Sequence, residues 1–84
     1  MIHHLKILPE YFRAVRCGIK TFELRRNDRN YRPCDTLVLQ EWLPEGGYTG
    51  RELTRYVPYV FQGNDFGLIE GWCILSLQRM EKYL

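Results

Sequence analysis

The hydrophobic and polar positions divide the chain into short elements. Ile2 to Leu8 reads as a strand that Pro9 ends. Pro9 also suits the first turn of a helix, where its missing N–H costs nothing, and Glu10 favours the positive helix N-terminus. Tyr11, Phe12, Val15 and Ile19 recur at roughly helical spacing, Arg16 complements the C-terminal dipole, and Gly18 supplies a stop. The pattern predicts a helix over residues 9–17 that packs Phe12 and Val15 inward and depends on tertiary contacts to persist. Lys20 to Arg26 then alternates, with Phe22 and Leu24 on one side and Thr21, Glu23 and Arg25 on the other, the period of a half-buried strand.

Residues 27–35 are polar and turn-rich and predict a loop. Thr36 to Leu43 predicts a strand with Leu37 and Leu39 opposite Val38, Gln40 and Trp42, followed by a reversal at Pro44-Glu45-Gly46-Gly47. Residues 51–62 read as one long strand, in which Pro58 implies a sheet edge or a bulge. After a loop from Gly63 to Gly71, the apolar run from Trp72 to Leu77 predicts a strand buried on both sides. The order is β-α-β-loop-β-β-β. Five strands and one helix in so short a chain predict a small curved sheet or partly open barrel, which limits exposed edges.

Composition narrows the class. The 84 residues suit a single domain, 1–84, and with 45% hydrophobic residues and 26% charged ones disorder is not indicated. No apolar run approaches the ~18–20 residues that span a bilayer, and no secretory leader is visible, so no membrane partner and a cytoplasmic location are expected. Cys17, Cys34 and Cys73 are odd in number and lack a C-x-x-C pair, which argues against disulfides and against a zinc site. His3 and His4 are adjacent on a strand and point to opposite faces, so they do not grip one metal together. No metal and no cofactor are expected.

Net charge is only +2, but its distribution is uneven. From Arg13 to Arg32 seven basic residues stand against Glu23 and Asp28, a net +5. The rest of the chain, with five basic and eight acidic residues, carries −3. One basic region on an acidic background orients an anionic ligand without attracting every polyanion.

Within that region Gly18-Ile19-Lys20-Thr21-Phe22-Glu23-Leu24-Arg25 carries the pattern G-x-K-x-x-E-x-R and resembles the signature of ASCH domains, members of the PUA-like superfamily. The likeness extends over nearly the whole chain, through His3, Lys6, Pro9, Tyr11, Asn27-Asp28-Arg29, Asp35, Leu39-Gln40-Glu41-Trp42 and Tyr48-Thr49-Gly50-Arg51. These resemble a short, uncharacterised bacterial branch that is often phage-associated. The resemblance implies a five-stranded PUA-like pseudobarrel with one short helix after the first strand, and a role in binding RNA or a nucleotide in a cleft beside that helix. It places His3, Tyr48 and Arg51 among the candidate ligand residues. Where relatives carry glycine before the aspartate, this chain has Cys34, which is strained if the position requires a positive φ.

The chemistry of the motif agrees with binding. A carboxylate at Glu23 between Lys20 and Arg25 fixes both cations and accepts hydrogen bonds from a base or sugar. Arg25 suits bidentate contact with a phosphate or guanine edge, and Lys20 a point-charge contact. Arg26 and Arg29 have no local structural need and extend the candidate site. Tyr31, Tyr48 and Tyr56 are available for base stacking. Two alternatives stand beside this reading. Some small ASCH proteins resemble amidohydrolases acting on acetylated cytidine through G-x-K-x-x-T; here Lys20 matches the lysine, but Glu23 occupies the threonine slot and a nucleophile is missing. The other is a phage-encoded protein-interaction module. An ion-pair network that merely covers the barrel end is the plainest structural explanation of Lys20, Glu23 and Arg25.

Overall fold

The computed structural model describes residues 1–80. Its elements are β1 (Ile2–Ile7), α1 (Pro9–Arg16), β2 (Phe22–Arg26), β3 (Thr36–Leu43), β4 (Gly47–Tyr56), β5 (Val60–Gln62) and β6 (Trp72–Ser76). They build two three-stranded sheets, β1-β3-β4 and β2-β6-β5. In the first, β1 runs parallel to β3 from Ile2↔Thr36 to Ile7↔Glu41, which requires the long crossover through α1 and β2. β3 and β4 form an antiparallel hairpin with an irregularity between Gln40 and Trp42. In the second, β6 is central and antiparallel to both β2 and β5.

Among the described residues the chain is therefore β-rich with one short helix, but it has six strands rather than the five expected. The segment read as one strand over residues 51–62 divides into β4 and β5, which belong to different sheets. Pro58 sits in the break, where it removes a ladder donor, while Val57 turns fully inward to the core. The edge or bulge expected at Pro58 is instead the point where the chain changes sheets.

The core between the sheets holds Leu5, Ile7, Phe12, Val15, Leu37, Leu39, Val57, Cys73 and Leu75, with Tyr31 closing one side. Phe12 and Val15 come from the inward stripe of α1, as the helical spacing predicts. β6 buries Cys73 and Leu75 completely, but Trp72, Ile74 and Ser76 only in part, so it is not buried on both sides. Its outer face is only half covered.

β2 reverses the ordinary hydrophobic pattern. Phe22 and Leu24 are 47% and 49% exposed, while Glu23 between them is 4% exposed. A charged side chain lies against the core and two large apolar ones face outward. Burying a carboxylate costs several kcal/mol unless it is paired. That inversion marks the site.

Candidate functional site

The site begins at the end of α1. Gly18 adopts φ +84, and Ile19 and Lys20 both donate their N–H to the carbonyl of Ala14 at 3.0 Å, folding the chain back across the helix end. This places Lys20 beside the first residues of β2, with its ammonium 5.0 Å from the Phe22 ring centre and 5.8 Å from that of Tyr11. Lys20 Nζ donates to Glu23 Oε1 at 2.5 Å and to the Phe22 carbonyl at 2.7 Å. Arg25 Nε donates to Glu23 Oε2 at 2.7 Å. The carboxylate thus lies between two cations, one on each oxygen.

No backbone ladder joins β1 to β2, so the two sheets meet along an open seam. Leu77 donates to the Thr21 carbonyl at 2.9 Å and Asn27 to the Gly71 carbonyl at 2.8 Å. By the alternation of antiparallel pairing, Phe22, Leu24 and Arg26 turn their backbone groups toward the seam. On β1 the Met1 carbonyl accepts from Thr36 N–H at 2.9 Å, which leaves the even residues His4 and Lys6 facing the seam from the other side. Two arginines bridge it. Arg25 Nη2 donates to the Lys6 carbonyl at 2.5 Å and Arg29 Nη1 to the His4 carbonyl at 3.0 Å. Side chains replace the missing ladder and satisfy edge carbonyls that would otherwise invite pairing with another chain.

Above the seam is a cleft of 670 Å³, in the range of small-molecule sites (~300–1,000 Å³). Leu8, Tyr11, Phe22 and Leu24 give it an apolar wall, Tyr31 and Trp72 contribute aromatic surface, and Lys6, Lys20, Arg25, Arg26 and Arg29 bring positive charge. Arg26 lies 5.3 Å from the Trp72 ring centre, and Lys6 lies 4.5 Å from that of Trp42. Among the described residues, neither these two cations nor Arg29 has a carboxylate partner. Asp28 is the other acidic residue on the cleft wall. Asn27 organises the arginine loop by accepting the Tyr31 N–H at 2.9 Å and donating to Gln62 at 3.0 Å. Burial pushes the Tyr31 hydroxyl above its ordinary pKa, against the pull of Arg25 and Arg29, so it stays protonated at neutral pH.

Of the ten residues that the sequence singles out, the structure gathers six, Lys20, Glu23, Arg25, Arg26, Arg29 and Tyr31, around this cleft. The other four lie elsewhere. His3 is buried, with its Nε2 2.8 Å from Asp35 Oδ2 and its ring edge-on to Tyr31. Tyr48 is exposed on the β3–β4 hairpin opposite Trp42. Arg51 Nε and Nη2 donate to the two oxygens of buried Glu41 at 2.8 and 2.9 Å, and Thr49 adds a third hydrogen bond at 2.8 Å. Those hydrogen bonds, first from Arg51 and then from Thr49, hold the Glu41 carboxyl below its usual pKa. Tyr56 likewise points to Cys34, its hydroxyl 3.3 Å from Sγ.

The family profile described as "Domain of unknown function (DUF3850)" matches residues 2–77. The chain belongs to this family. The matched span contains every element of the DUF3850 fold described above and the whole cleft. An "Uncharacterized 12.9 kDa protein in GpA 3'region" of Escherichia phage P2 is 40% identical over 74 residues, 88% of this chain. The chain spans 65% of that phage protein's length.

In this DUF3850 domain the apolar wall of the cleft is not legible from the sequence pattern. Phe22 and Leu24 have the spacing of core residues, and Trp72 opens an apolar run, so periodicity alone assigns all three to packing. Net charge in the motif gave no hint that Glu23 would be the inward residue. Glu23 and Arg25 share a strand face whichever way β2 points, so their pairing leaves the direction open. The tie that depends on the direction, from Arg25 to the Lys6 carbonyl, spans 19 residues and leaves no local trace. Among the described residues no group of three His, Cys, Asp or Glu side chains converges to hold a metal, and no helix is long and apolar enough to cross a membrane.

Proposed function

We propose that the cleft between β1 and β2 binds RNA or a nucleotide, within a PUA-like pseudobarrel of the ASCH type. The observation that carries the reading is the company of Arg26 and Arg29. Both border a half-exposed apolar and aromatic wall, and neither has a carboxylate partner among the described residues. A ligand with a flat apolar body and a negative charge matches both features: a base against Phe22 or Trp72, a phosphate on the arginines. Lys20, Glu23 and Arg25 serve as the frame, since their charges already satisfy one another and Arg25 also ties the sheets together. Lys20 has two donors committed, to Glu23 and to the Phe22 carbonyl, which suits a fixed cation better than a proton-abstracting base.

The test is a titration of labelled single-stranded and hairpin RNA, and of nucleoside monophosphates, at several salt concentrations. Affinity should fall with salt at a slope reflecting about two to four phosphate contacts. Arg26→Ala and Arg29→Ala should each weaken binding about tenfold with the fold unchanged by circular dichroism, whereas Arg51→Ala should leave affinity alone. Absence of binding to every RNA and nucleotide at low salt would end this reading.

A further inference from the structure

The loop from Gly63 to Gly71 is built to hold an aromatic ring in water. Its neck is pinched by Gly63 N–H donating to the Trp72 carbonyl at 2.6 Å and Trp72 N–H donating to the Ile69 carbonyl at 3.1 Å. Inside it, Asn64 donates to Leu68 at 2.9 Å and Leu68 to Asp65 at 3.1 Å. Only glycine fits at 63, because a Cβ there would lie 2.1 Å from the Ile69 carbonyl oxygen and 2.6 Å from that of Trp72. Asn64 and Phe66 adopt φ +122 and +55, and Gly67 and Gly71 are also left-handed. A bulky residue at positive φ is strained, and such strain persists only where surrounding contacts enforce it. The result is Phe66 95% exposed at the tip of a hydrogen-bonded loop and Ile69 71% exposed near its neck. Hydrophobic burial alone would have drawn both inward. A preshaped loop presenting an aromatic anchor has already lost the entropy that docking would cost it.

The charge around that anchor identifies what it fits. Residues 63–71 contain Asp65 and Glu70 and no lysine or arginine. The complementary receptor is an apolar pocket rimmed by cations, and this chain carries one: the cleft walled by Leu8, Tyr11, Phe22 and Leu24, with Arg26 and Arg29 lacking carboxylate partners among the described residues. Loop and cleft are also neighbours. Trp72, the residue after the loop, lines the cleft, and Asn27 between the cleft residues Arg26 and Asp28 holds both loop ends, through the Gly71 carbonyl and the Gln62 side chain. Where a protrusion and its receptor lie side by side on one face, a two-fold axis lets each copy insert its loop into the other's cleft, closing the assembly at two.

We infer that the chain forms a reciprocal homodimer in which Phe66 and Ile69 of each copy occupy the β1–β2 cleft of the other, with Asp65 and Glu70 facing Arg26 and Arg29. The inference stands on loop shape and charge, and a loop seated there covers the wall and arginines proposed for RNA or a nucleotide, so dimer and ligand compete for the cleft.

Sedimentation velocity of nuclease-treated protein, from low micromolar to millimolar concentration, tests it. The wild-type chain should pass from monomer to dimer, and the transition should move to higher concentration as salt rises. Phe66→Asp should weaken association by about thirtyfold or more, as expected for loss of a buried aromatic anchor. The charge reversal Arg26→Glu with Arg29→Glu should do the same while leaving the loop intact. A mixture of these two variants retains one good loop and one good cleft, so it should form heterodimers more readily than either variant self-associates. A chain monomeric at every concentration, a dimer indifferent to Phe66→Asp, or a mixture no better than its components would each overturn the proposal.

Discussion

Two glutamates on the inward faces of strands in different sheets invite comparison. Glu23 on β2 and Glu41 on β3 are 4% and 2% exposed, and each is paired with an arginine. Glu41 takes two hydrogen bonds from Arg51 and one from Thr49, all from the adjacent strand β4, and Arg51 rests against the Phe12 ring at 5.3 Å. Its cluster is closed within one hairpin. Glu23 instead takes its partners from the helix end and from its own strand, and Arg25 continues across the seam to the Lys6 carbonyl in the other sheet. Around it lie further cations and half-exposed apolar side chains. An ion pair by itself does not distinguish scaffold from site. The unsatisfied surroundings do.

The largest effect that sharpens this contrast is on stability. Glu23→Gln leaves two cations, Lys20 and Arg25, only 16% and 24% exposed in their side chains, without their counter-charge. Breaking a buried pair costs ~3–5 kcal/mol, and partial solvent access to the cations reduces that here to about 2–3 kcal/mol. Glu41→Gln strands a single arginine whose side chain is 52% exposed and can rehydrate, so its loss should be the smaller. Urea unfolding of the two variants checks the order, and an equal or reversed loss would mean that the seam is no more dependent on its carboxylate than the hairpin.

How far the sequence displays this arrangement depends on which physical term dominates at each position. The helix was legible because Pro9, the Phe12–Val15 stripe and Gly18 all point to the same element. The Lys20–Glu23–Arg25 grouping was legible because close spacing in sequence keeps the three together whichever way the strand faces. The facing itself was not, since alternation sets which residues share a side and leaves open which side meets the core. In β2 tertiary pairing outweighed hydrophobicity. Residues 51–62 misled for a related reason: β-propensity is high on both sides of Pro58, and nothing local says that the strand after it joins another sheet. His3 and Arg51 enter the candidate site only through the resemblance. Their partners, Asp35 and Glu41, lie 32 and 10 residues away, beyond the reach of local pattern.

Asp35 offers a second way to separate scaffold from cleft, through pH. Burial works to raise its carboxyl, but the hydrogen bonds from His3, the Arg32 N–H and the N-terminal ammonium outweigh it, and its pKa lies below the usual value. A carboxyl with a depressed folded pKa stabilises the fold fully above its unfolded value, about 4, and loses that contribution as pH falls through the folded pKa. Acid should therefore destabilise the wild-type chain progressively below about pH 4, and Glu41 should add to the slope. Asp35→Asn should be less stable at neutral pH and flatter in its acid dependence. Thermal melts of both proteins between neutral pH and pH 3 measure this, and parallel profiles would remove Asp35 from the acid response.

The smallest effect expected is at Cys34, where the chain turns into that cluster. Its φ is +78, so the strain anticipated for a side chain before Asp35 is present. The turn is held by Cys34 N–H donating to the Val57 carbonyl at 2.7 Å and Val57 N–H donating to the Asp35 carbonyl at 2.9 Å, which keeps the backbone left-handed whatever the side chain prefers. A left-handed conformation costs a non-glycine residue ~1–2 kcal/mol, and glycine escapes that cost while losing more freedom on folding. The contact from the Tyr56 hydroxyl to Sγ is exposed and weak. Cys34→Gly should therefore raise stability by about 0.5–1 kcal/mol. Because Cys34 lies outside the cleft lining, RNA or nucleotide affinity should stay as it was. A melt and a titration on the same variant decide it. A lower melting temperature would show that the sulfur contact outweighs the backbone strain, and altered affinity would show that the Asp35 turn reaches the site after all.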